Sequence, residues 1–231
     1  MLIISHMIQA QYILLSLWIF LSFGCAHSQP QENLISCFGR ADIQKIKSAR
    51  LQEIAKADQD DRSAPYDSIN WNKVSPRDIK RRIEIGEIFA LGCFSSAADY
   101  AAGAIVYQHG DTADHAYQAF LWSLRGVELG DATQKWLLGA SLDRYLVRVG
   151  KKQLFATQYS RPLNESCWCI EQVESSFSEE RRVESTNKTL DHAISKLKEM
   201  NTANSISVCK NIKFCKSSLK DSPKGTVPGF W

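Results

Sequence analysis

Apolar positions recur at helical spacing along most of the chain. Between residues 42 and 62, Ile43, Ile46, Ile54 and Ala57, with Leu51 nearby, fall at helical spacing, and the segment closes on the acidic run "DQDDR", so a first helix is expected there. The stretch "APYDSINWNKVSP" reads as a loop. Ser75-Pro76-Arg77-Asp78 then supplies a hydroxyl cap, a proline where its missing N–H costs nothing, and an acid in the first turn. This predicts a second helix from Ser75 to about Leu91.

The middle of the chain is the most regular. Gly110, Gly130 and Gly150 each end an apolar-periodic segment, where a left-handed capping glycine is expected. A helix over 114–129 carries Tyr117, Phe120, Leu121, Leu124 and Val127 on one face, and a helix over 132–149 carries Leu138, Leu142, Tyr145 and Val149. Their connections are short, which makes successive helices antiparallel hairpins. Segments 111–130 and 131–150 share little beyond the opening Asp, one Val and the closing Gly, so duplication is not supported by identity. The stretch "YQHGDTADHAYQAFLWSLRGVELGDATQKWLLG" resembles short tetratricopeptide-like helical repeats over about one repeat, which argues for α-hairpins and not for a binding groove.

After Gln158 the periodicity fades. "YSRPLNESCWCIEQVESSFSEERRVES" reads as a surface loop, a last amphipathic helix covers 188–200, and no strand pattern is visible. The expected fold is all-α: antiparallel helical hairpins in one globular domain over 39–200, followed by an irregular, polar, flexible tail over 201–231 unless Cys209 and Cys215 pin it.

The first 28 residues change the picture from cytosolic to exported. The apolar run 12–23 has the length of a signal-peptide core and is short for a bilayer span. Cleavage after Ser28 is one reading, and lipidation at Cys25 behind an imperfect lipobox is a second. An uncleaved anchor starting near Ile8 is a third, since no Lys or Arg precedes Arg40. The protein is expected to be periplasmic, secreted or envelope-attached, meeting a membrane only through this segment. Without Cys25, six cysteines remain (Cys37, Cys93, Cys167, Cys169, Cys209 and Cys215), an even number that suits three disulfides of unspecified connectivity. A zinc site on Cys167, Cys169, Cys209 and Cys215 fits structural-zinc spacing poorly, so no metal and no cofactor is expected. Sequons at Asn164 and Asn187 matter only in a glycosylating host.

Composition excludes more than it suggests. A 44% hydrophobic content fits a packed core, and a net charge of +3 with dispersed basic residues gives no nucleic-acid footprint. There is no H-E-x-x-H, no G-x-S-x-G and no glycine-rich phosphate loop.

Candidate chemistry rests on charged and amide residues: Asp58, Asp61 and Arg62; His109; Asp143 and Arg144; and Gln153, Thr157 and Gln158. In "YQHGDTADHAYQ", His115 shares a polar stripe with Gln118, Trp122 and Arg125 and is expected at the surface. His109 continues the stripe of Ala98, Ala102 and Ile105 and is expected to face inward. A metal shared by both rings lacks a third ligand. Asp143-Arg144 lies mid-helix among apolar neighbours and needs partners, and an ion-pair network to "DQDDR" is preferred over a catalytic carboxylate.

Taken in order, "DQDDR", "IVYQHGDT", "LDRYLVRVGKKQLFATQ" and "SEERR" resemble a family of mostly bacterial, often exported proteins classed as a domain of unknown function (six-six-two-four). Its hallmark is an Asp-Arg pair followed by Gln-aliphatic-aromatic-Gly-Thr-Gln, and the resemblance spans about 58–200. Here Ala156 stands where the family has glycine. The family implies a fold and a set of residues but no reaction.

Three functions are therefore expected in this order. The first is a protein- or peptide-binding module of the cell envelope, whose exposed aromatic surface would include Trp122 and Trp136. The second is a hydrolase-like enzyme with Asp61, Arg62, His109, Asp143, Arg144, Gln153 and Gln158 around one cleft. The third is an envelope inhibitor or immunity-type protein.

Overall fold

The computed structural model describes residues 35–162, 166–203, 209, 213–227 and 231. The readings of a signal, lipid or anchor in residues 1–28 lie outside the described residues. Residues Ser36–Trp231 make one compact unit, and no helix among the described residues is long and apolar enough to cross a membrane.

The unit is helical, as expected. It contains α1 (Ala41–Asp60), a 3-10 turn (Tyr66–Ser68), α2 (Trp71–Ala90), α3 (Ala97–Gln108), α4 (Ala113–Glu128), a 3-10 turn (Ala132–Gln134), α5 (Lys135–Arg148), α6 (Glu179–Thr186) and α7 (Leu190–Ala203). Consecutive helices from α1 to α6 pack on one another, and α3 also rests on α1. Leu51 and Ile54 of α1, Ile85 and Ile88 of α2, Ala102 and Val106 of α3, and Trp122 of α4 form one core. Phe120 with Leu138, Leu142 and Leu146 of α5 forms a second.

Several boundaries move. α2 starts one turn earlier than Ser75-Pro76 implies: Asn70 Oδ1 accepts from Lys73 N–H at 3.3 Å, and the added turn buries Val74 on the stripe that continues through Asp78, Arg82, Ile85 and Ile88. Burying that valine and gaining a cap outweigh the one ladder bond Pro76 forgoes. Ile46, expected inside, is 64% exposed, because the buried stripe of α1 runs through Leu51, Ile54 and Asp58. Gly130 and Gly150 do adopt positive φ, at 97° and 77°. Gly110 does not. It is small for another reason: a Cβ there would come within 2.4 Å of His115 Cβ.

The segment after Gln158 is more structured than a loop, with α6 inside it and an antiparallel pair of two-residue strands, β1 (Tyr159–Ser160) and β2 (Cys169–Ile170). So short a pair leaves no alternation to detect. Three disulfides, Cys37–Cys93, Cys167–Cys209 and Cys169–Cys215, staple the unit. The described part of 201–231 lies against the domain: Lys152 N–H donates to Lys220 O, Ile170 N–H to Lys213 O and Cys215 N–H to Ile170 O, while Trp231 packs edge-on to Phe177.

Candidate functional site

The acidic run at the end of α1 meets α2. Arg62 lies between two carboxylates, with Nη1 3.0 Å from Asp58 Oδ1 and Nη2 2.5 Å from Asp78 Oδ2. Arg81 bridges Asp78 and Asp61 at 3.0 and 2.6 Å, and Arg77 makes two bonds to Asp61 at 2.9 and 2.7 Å. Burial works to raise the Asp61 carboxyl, but Arg81 and Arg77 outweigh it and hold the group below the usual carboxylate range. These acids and guanidinia balance one another, as an architectural network should. The expected link from this run to Asp143-Arg144 is absent, because the partners of "DQDDR" are supplied by α2 and by one histidine.

That histidine is His109, at the C-terminal end of α3. Its Nδ1 is 2.7 Å from Asp58 Oδ2, a carboxylate with no solvent exposure that also accepts from Gln59 Nε2 at 2.9 Å. His115 goes elsewhere. It completes a capping box at the start of α4, with Nδ1 accepting from the N–H groups of Asp111 and Thr112 at 3.2 and 3.4 Å. Burial, helped by Arg82, pushes its imidazole below the ordinary histidine value. The two histidines therefore do separate jobs, and among the described residues no group of three or more His, Cys, Asp or Glu side chains could hold a metal.

Asp143 and Arg144 diverge from the same turn of α5. Asp143 points into the domain and accepts from the backbone N–H of Leu154 (2.7 Å), Phe155 (3.1 Å) and Thr157 (3.0 Å) and from Thr157 Oγ1 (2.8 Å). It is the anchor of the "LFATQ" turn. Burial raises its carboxyl to about 6 against the pull of those four donors. Gln153 closes the same turn, donating to Gln158 O (3.1 Å) and Glu171 O (2.8 Å) and accepting from Gln158 N–H (2.8 Å). Ala156 holds the left-handed conformation at φ 60°.

Arg144 points the other way. Its Nε donates to Gln158 Oε1 at 3.0 Å and its Nη1 to Gln108 O at 2.6 Å, so α3 and the turn both steer it. It has no carboxylate within ion-pair distance among the described residues, and neither has Arg148, whose Nη1 donates to Thr112 O at 2.6 Å. Burial, then repulsion from Arg148 and Arg62, lowers the Arg144 guanidinium to about 10, and it remains a cation at neutral pH.

Arg62, His109, Arg144 and Arg148 line one cleft of about 550 Å³, walled on one side by Tyr66 and Trp71. The two rings lie 5.3 Å apart, and the Arg62 guanidinium sits 6.0 Å over Trp71. Asp111 also reaches the cleft but is engaged by Arg82 at 2.6 Å.

The predicted candidates thus divide. Arg62, His109 and Arg144 come together, while Asp61 serves the α1–α2 network and Asp143, Gln153 and Gln158 build the turn that aims Arg144. Sequence reasoning missed Arg148, Tyr66 and Trp71. Arg148 reads as an ordinary basic residue in a last helical turn, and the two aromatics sit in a stretch taken as a loop. Of the two tryptophans expected at an exposed surface, Trp136 is 48% exposed but Trp122 is 3% exposed, stacked among Phe89, Phe94 and Tyr107. Comparison with protein-family models, curated proteins and solved structures finds no match.

Proposed function

We propose that this chain is an exported helical binding protein whose cleft captures an acidic group, a phosphate or a carboxylate, carried by a protein or peptide. The observation that carries this reading is the pair Arg144 and Arg148, which line the cleft and form no ion pair among the described residues, Asp111 at the cleft being paired with Arg82 and acting on Arg148 only from beyond ion-pair distance. A network built only for stability neutralises its own charges, as Arg62, Arg77 and Arg81 do. A partly buried guanidinium without a counter-charge costs stability, and an anion forming charge-assisted hydrogen bonds to it offsets that cost. Tyr66 and Trp71 add a flat apolar wall for the rest of the ligand.

Export is supported by the three disulfides, which suit an oxidising compartment. The relation to the six-six-two-four family belongs to the same proposal. Three of the four motifs behind that resemblance each contribute a cleft residue: Arg62 from "DQDDR", His109 from "IVYQHGDT", and Arg144 and Arg148 from "LDRYLVRVGKK".

Calorimetric titration of the full chain with inorganic phosphate and with a short acidic peptide tests the reading. Binding is expected, weakening with salt, and Arg144→Gln with Arg148→Gln should lower affinity at least about tenfold, the loss of one charge-assisted contact. Absence of binding by the wild-type chain to both probes would sink it.

A further inference from the structure

We infer that the cleft is a phosphoryl-transfer site in which His109 Nε2 attacks phosphate monoesters. The inference rests on the anion-binding reading and adds chemistry to it.

The His109 ring is held at one nitrogen and open at the other. Asp58 occupies Nδ1 at 2.7 Å, while no hydrogen-bond partner holds Nε2 among the described residues, and the ring lines the cleft. A carboxylate on Nδ1 fixes the tautomer in which Nε2 carries the lone pair, sets the plane of the ring, and stabilises the positive charge that develops when Nε2 forms a bond. Asp58 is well suited to hold that geometry, because it is fully buried and is itself held by Gln59 and Arg62.

Guanidinium groups share the cleft with His109. Phosphoryl transfer needs little covalent help from a protein beyond a nucleophile, and most of the rate comes from positioning and from cations on the non-bridging oxygens. Arg144 and Arg148 line the same cleft as His109 and form no ion pair among the described residues, so the guanidinium N–H groups not given to Gln158, Gln108 and Thr112 remain for those oxygens. Arg144 is already oriented by Gln108 and Gln158, so its position costs little to fix on binding. Tyr66 and Trp71 suit a planar leaving group.

The steps balance. The Nε2 lone pair forms the N–P bond as the P–O bond to the leaving group breaks, and that oxygen departs with the electron pair. An aryl oxide needs no acid. Nδ1–H stays on Asp58, giving an imidazolium-bound phosphoryl group. Water then attacks phosphorus, the N–P electrons return to Nε2, and both water protons leave on dihydrogen phosphate, restoring neutral His109.

The test uses p-nitrophenyl phosphate with the full chain, following nitrophenolate release and, by intact mass after rapid quench, an acid-labile phosphoryl adduct. Phosphate affinity is measured separately by titration. Wild type is expected to show release and adduct, and His109→Gln to lose both, with release falling about 10²- to 10⁴-fold. Asp58→Asn, as a change to a positioning residue, should lower release and adduct formation at least about tenfold while phosphate affinity stays within about twofold, because the ring loses its fixed tautomer and the guanidinia of the cleft are untouched. A purely structural role would lower rate and phosphate affinity together, and circular dichroism identifies a variant that has failed to fold. Phosphate binding with neither release nor adduct overturns the catalytic inference alone, as does undiminished release from His109→Gln. No phosphate binding overturns the cleft reading with it.

Discussion

His109 Nδ1 lies 2.7 Å from Asp58 Oδ2, joining the end of α3 to the last turn of α1 across 51 residues of chain. Asp58 has no solvent exposure and also accepts from Arg62. Asp58→Ala therefore leaves the His109 Nδ1 without its partner and takes from the Arg62 guanidinium one of its two carboxylates, Asp78 remaining. A loss of about 3–5 kcal/mol is expected from urea unfolding, and a loss below about 1 kcal/mol would mean that the pair is solvated and mobile.

Arg144 predicts the opposite balance. It has no carboxylate to lose, so Arg144→Gln should change stability by less than about 1 kcal/mol while anion affinity falls. Thermal unfolding with and without phosphate separates the two: wild type is stabilised by the ligand and the variant is not.

Asp143 holds three backbone N–H groups and a hydroxyl. Asp143→Ala leaves them buried and unpaired, and a cost of about 3 kcal/mol or more is expected, with faster hydrogen exchange at Leu154 and Phe155.

The same carboxyl sets a pH dependence. Burial raises it to about 6, above its ordinary value, so folding favours the protonated form. Its contribution is fully present below about pH 4, the unfolded value, and shrinks as pH rises through 6. The stability of wild type minus that of Asp143→Asn should fall over that window. A rise instead would show that the four donors hold the group ionised.

Ala156 sits at φ 60° and is buried beside Ile170, Ala193 and Leu197. A β-branched side chain fits neither the backbone nor the space. Ala156→Val should cost more than about 2 kcal/mol in denaturant unfolding, and Ala156→Gly should stay within about 1 kcal/mol, since relief of the left-handed strain offsets the buried methyl that is lost.

Much of the helical frame was legible because it follows from local chemistry. Gly130 and Gly150 end helices with positive φ, and Leu138 and Leu142 lie on the buried stripe that the spacing indicates. Trp122 was not legible. Its stripe looks polar through His115, Gln118 and Arg125, yet Phe89, Phe94 and Tyr107 arrive from two other helices and the loop between them to cover it. Gly110 looked like a left-handed cap and is instead a space left for His115.

The sequence by itself determined which residues carry charge and where helices turn, because capping, periodicity and cysteine parity act within a few residues of the chain. Only the tertiary structure decided how those charges are spent. Arg62, in the turn after α1, is neutralised by Asp58 in the last turn of that helix and by Asp78 on the next, 16 residues away, while Asp143 is satisfied by a turn 11 to 14 residues later. Arg144, adjacent to Asp143, is turned outward to Gln108 and Gln158. Successive residues on a helix point about 100° apart, so two neighbours that the sequence offers together to one ion-pair network serve opposite sides of the fold, one closing its interior and the other opening a cationic cleft.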